Sequence, residues 1–413
     1  MKKYIILFIF SIIFLNSCGV VSSILGVDHD SAVYDDGVLT YYDEYSSSMK
    51  VFKVINENNR TETKIFRIYA ESDNLAIYVE NGANVQMSSV SKIGSDFNKY
   101  YSDLVSIYGN HTDVDGNGKI NILLFSMNPA GASIVTLGYF YPDDLILGNF
   151  NDAEILYMDV NLVNEIPDIM AGTILHELQH LINFNVNDIN KGRSMDLWLN
   201  ESLSESTSIL YSPTTASSRI NEFNSMGGYY CFYTWTLPID VFANYPSASI
   251  FMNWLYSKSG NDKTVFRDIA SSSQFNDYNK VLSSVSSRGI ASSWEELLLN
   301  WMEGVFSYQV SGVNPVVRRS GETVALYPGA LVVYYGSLGS ISDNNLSTRK
   351  LNSNIEIALN KDTYVGDSPT AVNIQIPNSI NAMQYKSSSQ SSKPYVPKYR
   401  NILFDKDGNV RKY

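Results

Sequence analysis

His176 and His180, with Glu177 beside the first, form the pattern His-Glu-x-x-His inside the apolar run Met170 to Phe184. On a helix, residues four apart leave the same face one turn apart. Both imidazoles could then hold one Zn²⁺, with Glu177 in reach of a water bound to it. The chain has four histidines, His29, His111, His176 and His180. With histidine this scarce, chance yields the pattern in roughly one such chain in a thousand. The competing reading is an amphipathic core helix with two hydrogen-bonded histidines.

Two imidazoles do not complete a catalytic zinc site, which usually has three protein ligands and a position left for water. The nearest supply is Trp198-Leu199-Asn200-Glu201-Ser202-Leu203-Ser204-Glu205, with Glu201 21 positions beyond His180. A loop between two helices would let the second double back on the first. Glu201 and Glu205 are one turn apart on a largely apolar helix, where like charges repel unless a cation lies beside them. Glu201 is the expected third ligand, and Glu205 the expected acceptor for the spare N–H of a ligand histidine. The alternative for either is a carboxylate facing water.

These strings resemble the gluzincin metallopeptidases, the group that includes thermolysin and the zinc aminopeptidases. They are similar to the hyicolysin family of bacterial secreted metallopeptidases. The resemblance rests on residues 176–184 and 198–205. It is supported by Asp113-Val-Asp-Gly-Asn-Gly-Lys and Glu154-Ile-Leu-Tyr-Met-Asp, and covers 65–310. It implies zinc on His176, His180 and Glu201, Glu177 as general base and Glu205 as supporting partner. It also implies an α+β, zincin-like fold, with a strand-rich N-terminal lobe, a helical C-terminal lobe and zinc in the cleft between them. Related enzymes place a transition-state donor where Tyr245 falls; with 29 tyrosines in the chain, packing is the alternative for any one of them. The Gly-x-Met-Glu-Asn segment that holds a substrate amino terminus in the aminopeptidases is absent, which points to an endopeptidase.

Asp113, Asp115 and Asn117 occupy positions 1, 3 and 5 of an EF-hand-like loop, with Gly118 at 6, the Lys119 carbonyl at 7 and Asn121 at 9. Position 12 is Leu124, so the bidentate glutamate of such loops is missing. A Ca²⁺ site would need an acid from elsewhere; the alternative is a tight Asp-Gly/Asn-Gly turn feeding a strand.

The first residues have the build of an export signal: Lys2 and Lys3, the apolar run Tyr4 to Leu15, then Leu15-Asn16-Ser17-Cys18. That last string looks like the lipobox of bacterial lipoproteins. It implies a signal peptide over 1–17 and a lipid anchor on Cys18, which holds a protein at a membrane without a spanning helix. An ordinary cleaved signal is the alternative. Without the leader, 28 basic residues face 42 acidic ones, a net charge of −14 that disfavours nucleic acid and anionic lipid as partners. Cys231 then has no internal disulfide partner and reads as a buried, inert thiol.

The remaining pattern divides into a tether with N-terminal strands (18–64), a catalytic domain (65–310), a small all-β module (311–385) and a low-complexity tail (386–413). Helices are expected over 88–108, 170–184, 197–211 capped by Asp196, and from 245 to before Gly260. Asn164 or Asp168, with Pro167, marks the start of the His-Glu-x-x-His helix. The expectation is an envelope-tethered, extracytoplasmic zinc metalloendopeptidase acting on proteins or peptides. The rivals are a surface-binding lipoprotein whose zinc is structural or vestigial, and a zinc hydrolase of a non-peptide bond.

Overall fold

The computed structural model describes residues 34–43, 48–56, 58, 60–132, 135–235, 243–319, 321–339, 343–377 and 399–400. The leader, Cys18, His29 and the stretch Ser387 to Pro397 lie outside the described residues. The chain divides into two compact units. One takes in Met1–Lys99, Asp113–Gly131 and Asp143–Pro167; the other takes in Tyr100–Thr112, Ala132–Pro142 and Asp168–Tyr413.

The elements of the first half are β1 (Tyr34–Asp35), β2 (Thr40–Tyr41), β3 (Met49–Ile55), β4 (Thr61–Glu71), β5 (Leu75–Glu80) and α1 (Met87–Tyr108). Then come β6 (Ile120–Phe125), β7 (Val135–Thr136), β8 (Gly138–Phe140) and β9 (Ile155–Asp159). In the first unit the strands run in the order β1-β2-β4-β5-β6-β9, with β3 also paired to β4. β5, β6 and β9 are mutually parallel, and every residue of β6 and β9 is buried. Their near-continuous apolar strings suit strands covered on both faces. The β3–β4 hairpin keeps the alternation of a half-exposed antiparallel pair.

β9 ends at Asp159, whose carboxylate accepts from the Asn161 and Leu162 amides and so caps α2 (Val160–Glu165). The helix α3 (Pro167–Asn183) then starts on a proline, where the missing N–H would be unsatisfied in any case. Asn164, expected as a start marker, lies inside α2, and its side chain donates to the Asn84 carbonyl.

In the second unit α3 is buried all round from Met170 to Asn183 and continues as a π-helical turn, Phe184–Ile189, before Gly192 at φ +62°. Then follow α4 (Leu197–Tyr211), α5 (Pro213–Ser225), β10 (Tyr229–Tyr230) and α6 (Asn244–Lys258). α7 (Thr264–Ala270), α8 (Asp277–Ser287) and α9 (Trp294–Phe306) follow. α4 lies along α6, and α5 packs on both. Asp196 sits at the N-cap of α4 but makes no capping hydrogen bond through its side chain, contrary to expectation. α5 was not expected at all.

The C-terminal strands are β11 (Thr323–Leu326), β12 (Leu331–Tyr335), β13 (Leu346–Lys350), β14 (Ile355–Asn360), β15 (Val372–Gln375) and β16 (Tyr399–Arg400). Four of the strands form a sheet in the order β10-β12-β14-β13; β11 pairs with β15, and β16 with β7. β10 comes from within the 65–310 span and pairs antiparallel with β12. Cys231 follows β10 and sits in their shared core with Val332, Tyr334, Ala358 and Ile374; its thiol is free, and burial pushes its pKa up. The architecture is α+β.

Candidate metal centre

The helical repeat alone sets His176 and His180 side by side, and their Nε2 atoms are 3.1 Å apart. α4 runs back along α3 and brings Glu201 to both rings: Oε2 is 3.4 Å from His176 Nε2, and Oε1 is 3.5 Å from His180 Nε2. All three residues are buried, at 3%, 8% and 1% exposure.

These spacings test whether a metal fits. Four ligands at ~2.0–2.1 Å around tetrahedral Zn²⁺ lie about 3.3 Å from one another, close to the three separations found. His180 Nδ1 lies 3.0 Å from Asn200 Oδ1 and 3.1 Å from Ser204 Oγ. An Nδ1–H donated to these acceptors leaves the Nε2 lone pair aimed at the other two ligands. Glu201 Oε2 is buried with no hydrogen-bond partner among the described residues. Lone pairs and a carboxylate crowded in a dry site need a cation between them. His-His-carboxylate is a donor set that zinc takes.

Glu201 and the two imidazoles are strongly coupled. Burial opposes ionisation of Glu201, but the His180 and His176 imidazoles outweigh it and bring the carboxyl down to about 2. Burial opposes the charged form of His180, yet Glu201 lifts it to about 9.

Glu177 is 1% exposed; burial pushes its pKa up, against the pull of the two imidazoles and the Phe140 amide. Its Oε1 has no partner among the described residues, so one lone-pair-bearing oxygen is free beside the candidate metal ligands. Such a carboxylate is suited to accept and return a proton.

Glu205 does not reach a histidine closely: Oε1 is 3.7 Å from His176 Nδ1, beyond hydrogen-bond range. It is held instead by Arg219 of α5, through Nη2 at 2.7 Å and Nε at 3.0 Å. Arg219 also donates to Glu222 at 2.9 Å. Sequence reading missed Arg219 because α5 carries no apolar stripe; among its residues only Phe223 is buried. The Arg219–Glu222 pair at i, i+3 was the one available signal. α5 comes close because α3 has Gly172 one turn before His176. A Cβ there would meet Thr215 Oγ1 at 2.6 Å and Ser212 Cβ at 2.8 Å.

Tyr245 stands beside the centre, its ring 6.5 Å from that of His176 and 5.1 Å from the Arg219 guanidinium. It is 4% exposed, and its hydroxyl has no partner among the described residues. Burial, reinforced by Glu201, drives its pKa well up, so it stays a proton donor. A small pocket opens next to His176, lined by Leu137, Thr173, Ser218 and Arg219 among others. Asp113 and Asp115 belong to the other unit and lie with Glu154.

Two histidines one turn apart, a carboxylate from the next helix and a buried glutamate next to them define a candidate mononuclear metal centre with the makings of a hydrolase. The chain is similar to the neutral metalloprotease ShpI of Staphylococcus hyicus, 29% identical over 231 residues. The match covers 52% of this chain and 51% of that protein, so the chain spans about half the length of the curated relative it matches. No family model matches it.

Proposed function

We propose that this protein is a zinc metallopeptidase that cuts within protein or peptide chains, held outside the cytoplasm by a lipid on Cys18. The observation that carries the catalytic part is the meeting of His176, His180 and Glu201 within 4.8 Å, with Glu177 buried alongside. The likeness to a neutral metalloprotease supports it. The envelope location rests on the leader and the Leu-Asn-Ser-Cys string.

His176, His180 and Glu201 would hold the zinc, and Asn200 and Ser204 fix the His180 tautomer. When bound, the ion acidifies a water and polarises the scissile carbonyl. Glu177 takes the proton of the attacking water and hands it to the leaving amine. Tyr245 Oη, buried and unengaged, donates to the oxyanion as it develops. Arg219 pairs with Glu205, so the second buried acid on α4 is not left unpaired beside Glu201.

The deciding experiment assays digestion of a denatured protein substrate by the chain with and without Glu177→Gln, alongside metal analysis. Zinc should remain near one per chain in both, and the variant should lose about 10²–10⁴-fold in rate. A variant that keeps wild-type turnover would remove Glu177 from the chemistry. A wild-type chain that binds zinc but hydrolyses nothing would leave a binding lipoprotein. A chelator-sensitive activity on esters or cell-wall fragments but not on proteins would move the reaction to another bond.

A further inference from the structure

The loop Asp113 to Asn121 lacks the closing glutamate of a calcium loop, and the fold supplies an acid from elsewhere. Glu154, immediately before β9, is 0% exposed, and ligand atoms of Asp113, Asp115 and Glu154 lie within 4.8 Å of one another. Glu154 Oε1 accepts from the Val114 amide at 2.8 Å, which fixes the carboxylate against the loop. Its Oε2 is buried with no partner among the described residues. A buried carboxylate oxygen left unpaired beside two more acids is costly unless a cation is bound. The one lysine of the loop does not serve: Lys119 Nζ is drawn 2.6 Å from Glu71.

We infer that Asp113, Asp115 and Glu154 form a Ca²⁺ site that ties this loop to the start of β9. The donors are all hard oxygens with no nitrogen or sulfur, the set that Ca²⁺ takes and zinc does not prefer. Asn121 Oδ1 is a further buried oxygen without a partner among the described residues, next to Glu154, whose carbonyl accepts from the Asn121 amide at 2.7 Å. Asn121 and Ile155 are register partners in the parallel β6–β9 pair. The ion would therefore lock β6 to β9 at one end. Asn117 is turned to the loop itself: its Oδ1 accepts from the Lys119 amide and its Nδ2 donates to Asp115. This inference does not depend on the zinc centre, whose residues all lie in the other unit.

The test takes the full chain, stripped with EGTA and reloaded with one equivalent of zinc, and titrates it with CaCl₂ by calorimetry. Wild type should bind one Ca²⁺ per chain more tightly than Mg²⁺, with a rise in melting temperature. Glu154→Gln and the exposed Asp115→Ala should each weaken binding by about tenfold or more, with zinc content unchanged. Circular dichroism checks folding; if Glu154→Gln does not fold, Asp115→Ala decides. No binding up to about 5 mM Ca²⁺, or wild-type affinity in a folded variant, overturns the site. Neither result touches the hydrolytic reading, which zinc content and Glu177→Gln test separately.

Discussion

Arg219 grips Glu205 through two parallel hydrogen bonds, Nη2 to Oε1 at 2.7 Å and Nε to Oε2 at 3.0 Å, with the carboxylate fully buried. The pairing resolves the oddity of two acids one turn apart on α4. Glu201 is met by imidazoles and Glu205 by a guanidinium that Glu222 shares, so neither carboxylate on α4 is left unpaired.

Removing that partner should therefore be severe. Arg219→Ala leaves a carboxylate buried without compensation, which costs about 3–5 kcal/mol. Denaturant titration reads the loss directly. The double variant Arg219→Leu with Glu205→Leu should recover most of it, since two apolar side chains replace a desolvated ion pair. A single variant within about 1 kcal/mol of wild type would mean that the pair behaves like a surface contact.

Tyr245→Phe separates catalysis from packing. The hydroxyl has no partner among the described residues, so its loss should leave folding stability unchanged or slightly raised. If it donates to the oxyanion, kcat should fall about 10²–10³-fold with zinc retained and KM little altered. Unchanged kcat would make Tyr245 a packing residue.

Asp196 gives a pH signature away from the metal. Burial, with the neighbouring Asp277 adding to it, raises its carboxyl from 3.8 to about 6. The folded state then binds more protons than the unfolded one between those values. Its favourable contribution is complete below about pH 4 and is lost as the pH climbs through 6. Asp196→Asn should thus raise the melting temperature at pH 7.5, with the gain shrinking towards pH 4. No cap is sacrificed, because the side chain makes no capping bond. An equal gain at both pH values would contradict the assignment.

What the sequence settled by itself was whatever follows from a local repeat. Residues four apart on a helix must share a face, so the pairing of His176 with His180, and of Glu201 with Glu205, was legible before any tertiary contact. Tertiary structure decided which groups from distant parts of the chain share those faces. Arg219 arrives on a polar helix that carries no apolar stripe, admitted by the absent Cβ of Gly172. Glu154 is 41 positions from Asp113, yet the parallel pairing of β6 with β9 brings it to the same loop. Asp196 was expected to cap α4, but its surroundings, burial and Asp277 among them, come from packing and not from its neighbours in sequence. Periodicity fixes directions along one element, whereas the partner met in that direction depends on loop closure and burial across the whole chain.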